Sequence, residues 1–237
     1  MKVIIRAPLL SVSGYGVHSR QIFSYFEEKD KFEIESQTVN WGHTSWIINS
    51  EFENGQIKRI MESSGKSEAI ADLSFQVQLP DEWDPNLARV NVGVSAVVET
   101  DMCNTLWVDA CNNMDAVIVP SKHAKSCLEK SGKLSTRVFV VPEWFFPEIV
   151  DENCENYFSN YKFDTSFNFL ILSQINGQSA STDRKNIFNT IKWICETFKD
   201  DSDVGIVLKT NHGRGTTIDR EVTSSLVKSL LSEVRKS

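Results

Sequence analysis

No two cysteines of this chain form a Cys-x-x-Cys pair, and the five present (Cys103, Cys111, Cys127, Cys154 and Cys195) are odd in number and widely spaced. That pattern excludes a disulfide framework and a cysteine zinc site, and leaves reduced, structural thiols. The chain also lacks any run of about 18 apolar residues, as a spanning helix needs, and Met1 to Leu10 lacks the apolar stretch of a signal peptide. The expected compartment is cytoplasmic, with membrane contact from that side left open. Positive charge is short as well: the formal net charge is −7 and the pI about 5.2. A net negative field argues against a protein whose task is to coat nucleic acid or an anionic membrane.

What is present is a globular composition, 41% hydrophobic over 237 residues, enough for one large domain or one and a half ordinary ones. Strand and helix patterns alternate. Strands are expected at Lys2–Arg6, Phe32–Val39, Leu73–Leu79, Val90–Val98, Asp115–Val119 and Arg137–Val141, with helices at Val17–Lys29, Gln56–Ser63, Met102–Met114 and Lys122–Lys130. Runs such as Ala116-Val117-Ile118-Val119 are apolar without alternation, which suits strands covered on both faces. The fold class is therefore α/β, doubly wound and Rossmann-like. Residues 1–145 make the first domain and 146–166 an interdomain linker rich in acids and aromatics. Residues 167–237 carry strand Asn168–Leu172, helix Arg184–Phe198, strand Val204–Lys209 and helix Arg220–Lys236, about half of a second such domain. Two strands make a marginal sheet.

Four constellations stand where open α/β sheets bind ligands. Ser13-Gly14-Tyr15-Gly16-Val17-His18-Ser19-Arg20 follows the first strand and opens the first helix; Ser19 replaces the third glycine of the dinucleotide fingerprint. A tight structural turn explains Gly14 and Gly16 equally well. Thr182-Asp183-Arg184-Lys185-Asn186 places two cations at a helix start, with Thr182 or Asp183 as cap, an arrangement that makes sense if an anion binds; a solvated basic pair is the bland alternative. Lys209 ends an apolar strand ahead of Thr210-Asn211-His212-Gly213-Arg214-Gly215, on the same side as Lys185. Glu99 and Thr100 end the strand beginning near Val90, with Trp107 on the next helix; carboxylates there can bind sugar hydroxyls or act as a base, while Thr100 or Asp101 can equally cap that helix. Ser121 is expected to cap the helix after Pro120, and its closeness to His123 does not make a triad.

Taken in order, Gly14 to Arg20, Met114 to Ser121, Val140-Val141-Pro142-Glu143 and Asp183-Arg184-Lys185-Asn186 resemble the family 4 retaining glycosyltransferases, across residues 1 to 215. The resemblance implies the GT-B arrangement of two facing Rossmann-like domains, a nucleotide-sugar donor and a carbohydrate acceptor as partners, reaction in the cleft, and no metal cofactor. It implies that Gly14, Tyr15 and Gly16 lie against the donor and that Lys185 neutralises its leaving diphosphate; beside these, Arg184 and Lys209 are expected at the phosphates, His18 and Trp107 on the acceptor side, and Glu99 and Thr100 as the catalytic residues. The chain departs from the family in three places. Ser173-Gln174 replaces the usual Gly-Arg, Glu99-Thr100 replaces a histidine, and no two glutamates after residue 165 stand seven apart as the donor-binding pair would.

These departures predict a truncated chain with an incomplete donor site, residues 167–237 less stable than residues 1–145, and an unfinished sheet edge open to self-association. A nonenzymatic sugar- or nucleotide-binding module is the alternative reading. The missing glutamates favour it and Arg184-Lys185 disfavours it. A dinucleotide oxidoreductase or epimerase is disfavoured by the absent third glycine.

Overall fold

The computed structural model describes residues 1–65, 69–145, 150, 162–175, 177, 179–210, 213 and 215–234. The chain divides into two compact units, residues 1–146 and 147–237. Most of the expected linker, residues 146–149 and 151–161, lies outside the described residues.

Unit 1 alternates strands and helices: β1 Lys2–Ala7, α1 Gly14–Glu27, β2 Glu33–Thr38, α2 Phe52–Glu62, β3 Ala71–Val77, β4 Ala88–Val94, α3 Thr105–Asn112, β5 Ala116–Val119, α4 Lys122–Ser131 and β6 Arg137–Val140. The six strands form one sheet in the order β2-β1-β3-β4-β5-β6, every pair parallel. The register aligns Ile5 with Phe75, Phe75 with Val92 and Val92 with Ala116, so these side chains share one face with Val3, Leu73, Val94 and Ile118. That face packs against Phe23 and Phe26 of α1 and Ile57 and Ile60 of α2. The opposite face carries Val117 and Val119, which pack with Val108 and Cys111 of α3 and with Ala124, Cys127 and Leu128 of α4. Helices thus cover both faces, which is why these strands read as continuous apolar runs.

Between β3 and β4 no α-helix intervenes. A short turn at Pro80–Glu82 instead lays Trp83 flat on β4, where a Cβ on Gly93 would come within 2.7 Å of the indole. Buried polar side chains hold this crossing. Gln76 donates to the Asp84 carbonyl (2.7 Å) and accepts from the Asp84 N–H (2.7 Å), Ser74 donates to Asn91 (2.8 Å), and Asn91 donates to the carbonyls of Pro85 and Ala88 (both 2.8 Å).

Several boundaries differ from the sequence expectation. The expected strand Val90–Val98 begins two residues earlier and stops at Val94, because Val97 adopts a left-handed backbone (φ 62°) that no strand accommodates. Helix α3 starts at Thr105, capped by Asn104, whose side chain accepts from the Leu106 N–H (3.0 Å); Thr100 and Asp101 are not its caps. Helix α1 starts three residues before Val17 because Ser13 caps it, accepting from the Gly16 N–H (3.0 Å). Ser121 caps α4 as expected, accepting from the Ala124 N–H (3.1 Å).

Unit 2 holds β7 Phe167–Leu172, α5 Ile187–Thr197, β8 Val204–Lys209 and α6 Thr217–Val234, with β7 and β8 parallel. Ile171, Ile206 and Leu208 cover Ile175, Ile187 and Ile191 together with Leu226, Leu230 and Leu231 of α6. On the other sheet face Leu170 and Leu172 are 63% and 62% exposed. Helix α5 begins at Ile187, later than the expected Arg184, because Asn186 is left-handed (φ 56°). Helix α6 begins earlier than Arg220, because Thr216 and Asp219 cap each other's backbone N–H groups (3.0 and 3.2 Å). Among the described residues no helix is long and apolar enough to cross a membrane.

Candidate functional site

The strand order of unit 1 reverses between β1 and β3, since β2 lies on one side of β1 and β3 on the other. Open parallel sheets bind ligands beyond the carboxyl ends of the strands at such a reversal. The loop after β1 is built to hold α1 there. A Cβ on Gly16 would overlap the Ser11 carbonyl oxygen and lie 2.9 Å from its carbon, so only glycine lets the helix rest on that loop. Arg20, 3% exposed, donates from one nitrogen to the carbonyls of Leu9 and Ser11 (3.1 Å each) and from Nε to Glu53 (2.7 Å). The guanidinium therefore gathers three partners around the loop, a geometry that lysine's point charge does not reproduce. Ser11 also bridges to Trp46 and meets the Thr44 hydroxyl at 2.5 Å, joining the loops after β1 and β2.

Gly14 is exposed at the start of α1, with nothing within 4 Å of where its Cβ would be. Tyr15 spans the site. Its ring stacks on Trp41 (centroids 4.0 Å apart, planes at 23°), while its hydroxyl pairs with Ser95 (3.2 Å) and accepts from the Ala96 N–H (3.0 Å) beyond β4. Burial pushes this phenol above its ordinary pKa, the bonds from Ser95 and Ala96 opposing the rise, so at neutral pH it is uncharged. His18 Nδ1 lies 3.3 Å from Glu143, and Gln21 donates to the Trp144 carbonyl (3.1 Å), which ties the segment after β6 to α1. The hydrogen bond from His18 holds the Glu143 carboxyl below its usual range, against the opposing effect of burial.

Glu99 and Thr100 are exposed on the segment after β4. The Thr100 hydroxyl donates to the Met102 carbonyl (2.8 Å), and the Thr100 carbonyl meets His123 Nε2 of α4 (3.1 Å). Just before them the left-handed Val97 is nonetheless buried in the α3–α4 core, a strained position of the kind that costs about 1–3 kcal/mol and gathers near binding sites. Trp107 packs against that same core. The structure brings Tyr15 to the root of the Glu99–Thr100 segment and His18 to Glu143, and it gives Trp107 a packing role.

In unit 2 the turn between β7 and α5 carries Arg184 and Lys185, both exposed and both ahead of the helix rather than in its first turn. Asp183, 6% exposed, accepts from the backbone N–H groups of Ile187 (2.6 Å) and Lys185 (3.2 Å), so this carboxylate, and not an external anion, serves those amides. An anion at this turn must then be held by the side chains. Gly177 lets the turn close, since a Cβ there would come within 2.6 Å of the Asp183 nitrogen. Lys209, exposed at the end of β8, aligns with Leu172, and its carbonyl accepts from the Ser173 N–H (3.2 Å); Lys209 thus stands at the carboxyl edge of β7 and β8, the edge from which the chain leaves toward the turn that carries Lys185. Gln174 donates to the Gly213 carbonyl at 3.4 Å; Asn211, His212 and Arg214 lie outside the described residues.

Three buried side-chain oxygens without a hydrogen-bond partner in the described structure fall at strand carboxyl ends: Thr38 ending β2, Gln78 after β3 and Thr210 after β8. Gln78 is 4% exposed and stands at the β1/β3 reversal itself. A buried acceptor of this kind calls for a ligand hydroxyl or an ordered water. The sequence pattern assigns no role to Ser95 or Gln78, and includes Arg20 in the loop constellation without one. Of these, Arg20 had a readable signal, a cation on the inward face of an amphipathic helix. Among the described residues no three His, Cys, Asp or Glu side chains gather as a metal site does. Comparison of the chain with protein-family models and with curated proteins yields no match.

Proposed function

We propose that this protein acts on carbohydrate as a GT-B retaining glycosyltransferase, with a nucleotide-sugar diphosphate held by unit 2 and a polyhydroxyl acceptor by unit 1. The observation that carries the reading is the polar chemistry at the carboxyl edge of the parallel strands in each unit. In unit 1, the buried acceptor of Gln78, the neutral Tyr15 and the Tyr15–Trp41 ring pair gather at one such edge. Neutral hydrogen-bonding groups beside an aromatic face suit sugar hydroxyls and the apolar face of a pyranose. In unit 2, Lys209 and the unpaired Thr210 hydroxyl stand at that edge, from which the chain leaves toward the turn that carries Arg184 and Lys185.

Glycosyl transfer builds negative charge on the leaving diphosphate, and fixed cations there lower the barrier without a proton transfer. Lys185 has this role, with Arg184 and Lys209 beside it. Glu99 and Thr100, exposed after β4, are the polar groups offered to the reacting sugar. Calorimetric titration with UDP, GDP and UDP-glucose, repeated on Lys185→Ala, tests the reading. Binding that Lys185→Ala abolishes supports it. Binding of none of the three, with unit 2 shown folded by its amide exchange, refutes a donor site. Binding without any transfer to saccharide acceptors favours the nonenzymatic module.

A further inference from the structure

Helix α4 presents three residues, each four apart, to the segment that carries Glu99 and Thr100. His123 Nε2 meets the Thr100 carbonyl (3.1 Å), and Ser131 accepts from the Cys103 N–H (2.8 Å) while donating to the Cys127 carbonyl (2.7 Å). Cys127 stands between them on the same ridge, because residues four apart stack on one helix face. A single hydroxyl therefore holds the backbones of Cys103 and Cys127 within two hydrogen-bond lengths of each other. That is compatible with the roughly 4.4–6.8 Å between Cα atoms that a disulfide spans. Both side chains belong to the same packed cluster, Cys103 at its half-exposed margin and Cys127 buried inside it. Burial first, and then the neighbouring Cys103 thiol, push the Cys127 thiol above its ordinary pKa.

We infer that Cys103 and Cys127 are an oxidisable dithiol, closed by a hydroperoxide into a disulfide that pins the Glu99–Cys103 segment to α4. Cys103, the thiol that solvent reaches, attacks one peroxide oxygen as its thiolate. The S–O bond forms, the O–O bond breaks, and the departing hydroxide takes a proton to become water. The Cys127 sulfur then attacks the Cys103 sulfenic acid. The S–S bond forms, the S–O bond breaks, and the leaving hydroxide takes the Cys127 proton as a second water. Two thiols lose two electrons and the peroxide gains them. Cys111 is also near, but its thiol is fully buried and pushed up to about 12 by that burial, with the Cys103 neighbour adding to the rise, and no shared hydroxyl aligns its backbone with Cys103. A bridge at Cys103 would restrain the strained stretch from Val97 onward, at the rim where Tyr15 meets Ser95 and Ala96.

The full chain, fully reduced and then treated with hydrogen peroxide, is the test, read by mass spectrometry of peptides cut with trypsin and after Trp107. The expected result is loss of two hydrogens and a peptide containing Cys103 joined to the peptide containing Cys127. The bridge should persist in Cys111→Ser and vanish in Cys103→Ser, which changes only the half-exposed partner and leaves the core intact. Cys127 joined to any cysteine other than Cys103 in the parent chain, or oxidation of Cys103 to sulfinate with no bridge at all, overturns the assignment. Amide exchange of residues 99–104 should slow by at least several-fold in the bridged form; unchanged exchange would refute the pinning. Neither readout requires any glycosyl transfer, so this inference and the proposed function fail separately.

Discussion

Replacing Gly16 with alanine should destabilise unit 1, although helix propensity alone predicts the reverse. In an ordinary helix interior, Gly→Ala gains about 1 kcal/mol. At Gly16 the new methyl would overlap the Ser11 carbonyl oxygen and lie 2.9 Å from its carbon, both backbone atoms that cannot swing aside. Moving Ser11 stretches the Arg20 bond to its carbonyl (3.1 Å), the contact with Thr44 and the bridge to Trp46. Overpacking of this kind costs about 1–3 kcal/mol. Weakening a bond from a buried guanidinium adds up to about 1.5–3 kcal/mol. After the propensity gain is subtracted, a net loss of about 1.5–5 kcal/mol remains, a fall in Tm of roughly 3–20 °C at this domain size. Gly14→Ala is the control. Its methyl meets open space, so it should be neutral or slightly stabilising. Because the chain has two units, the assay should follow amide exchange at β1 and β3, which reports unit 1 alone, alongside thermal unfolding by circular dichroism. A Gly16→Ala protein as stable as the parent would refute the packing argument.

Three further outcomes follow from the geometry. In an alkaline absorbance titration, one of the four tyrosines should ionise later than the rest, and Tyr15→Phe should remove that late component at a cost of about 1 kcal/mol; an unchanged profile would mean that Tyr15 is not the buried phenol. Since Glu143 is depressed in the folded chain, the His18–Glu143 tie should be fully present above the ordinary glutamate pKa and lost as pH falls through the lower folded value. Carboxyl NMR checks this, and a Glu143 midpoint at or above the usual value would count against the contact. Asp183→Ala leaves the N–H groups of Lys185 and Ile187 unserved and should destabilise the start of α5 by about 1–3 kcal/mol, seen as faster exchange at residues 187–191; unaltered exchange there would show that the carboxylate is not the cap.

Much of the fold was legible because parallel, doubly covered strands write themselves as apolar runs. Ala116 to Val119 is such a run, and Val117 and Val119 pack on one face while Ala116 and Ile118 pack on the other. The crossing between β3 and β4 was not legible. Its interior is Ser74, Gln76 and Asn91, polar residues that any pattern reading sends to the surface, and its cover is one indole fitted to one glycine. The end of β4 was overrun for a related reason. Val97 and Val98 look like strand residues, and only the left-handed backbone at Val97 ends the pattern. In the candidate site, Ser13 and the two glycines announced the start of α1, but the partners of Tyr15 lie twenty-six and eighty positions away at Trp41 and Ser95, joined only by the sheet order. The cations of unit 2 were read as helical. The buried Asp183 carboxylate, which takes the N–H groups ahead of α5, moves them into the preceding turn.

The polar crossing beneath Trp83 has a practical consequence. Its side-chain bonds join amides, a hydroxyl and backbone groups, none of which gains or loses a proton between acid and alkaline extremes. The centre of unit 1 therefore contains a built-in reference. In any titration of the whole chain, amide signals from residues 74–76 should stay nearly still while those around Glu143 and Tyr15 move, and their common drift measures global unfolding separately from local ionisation.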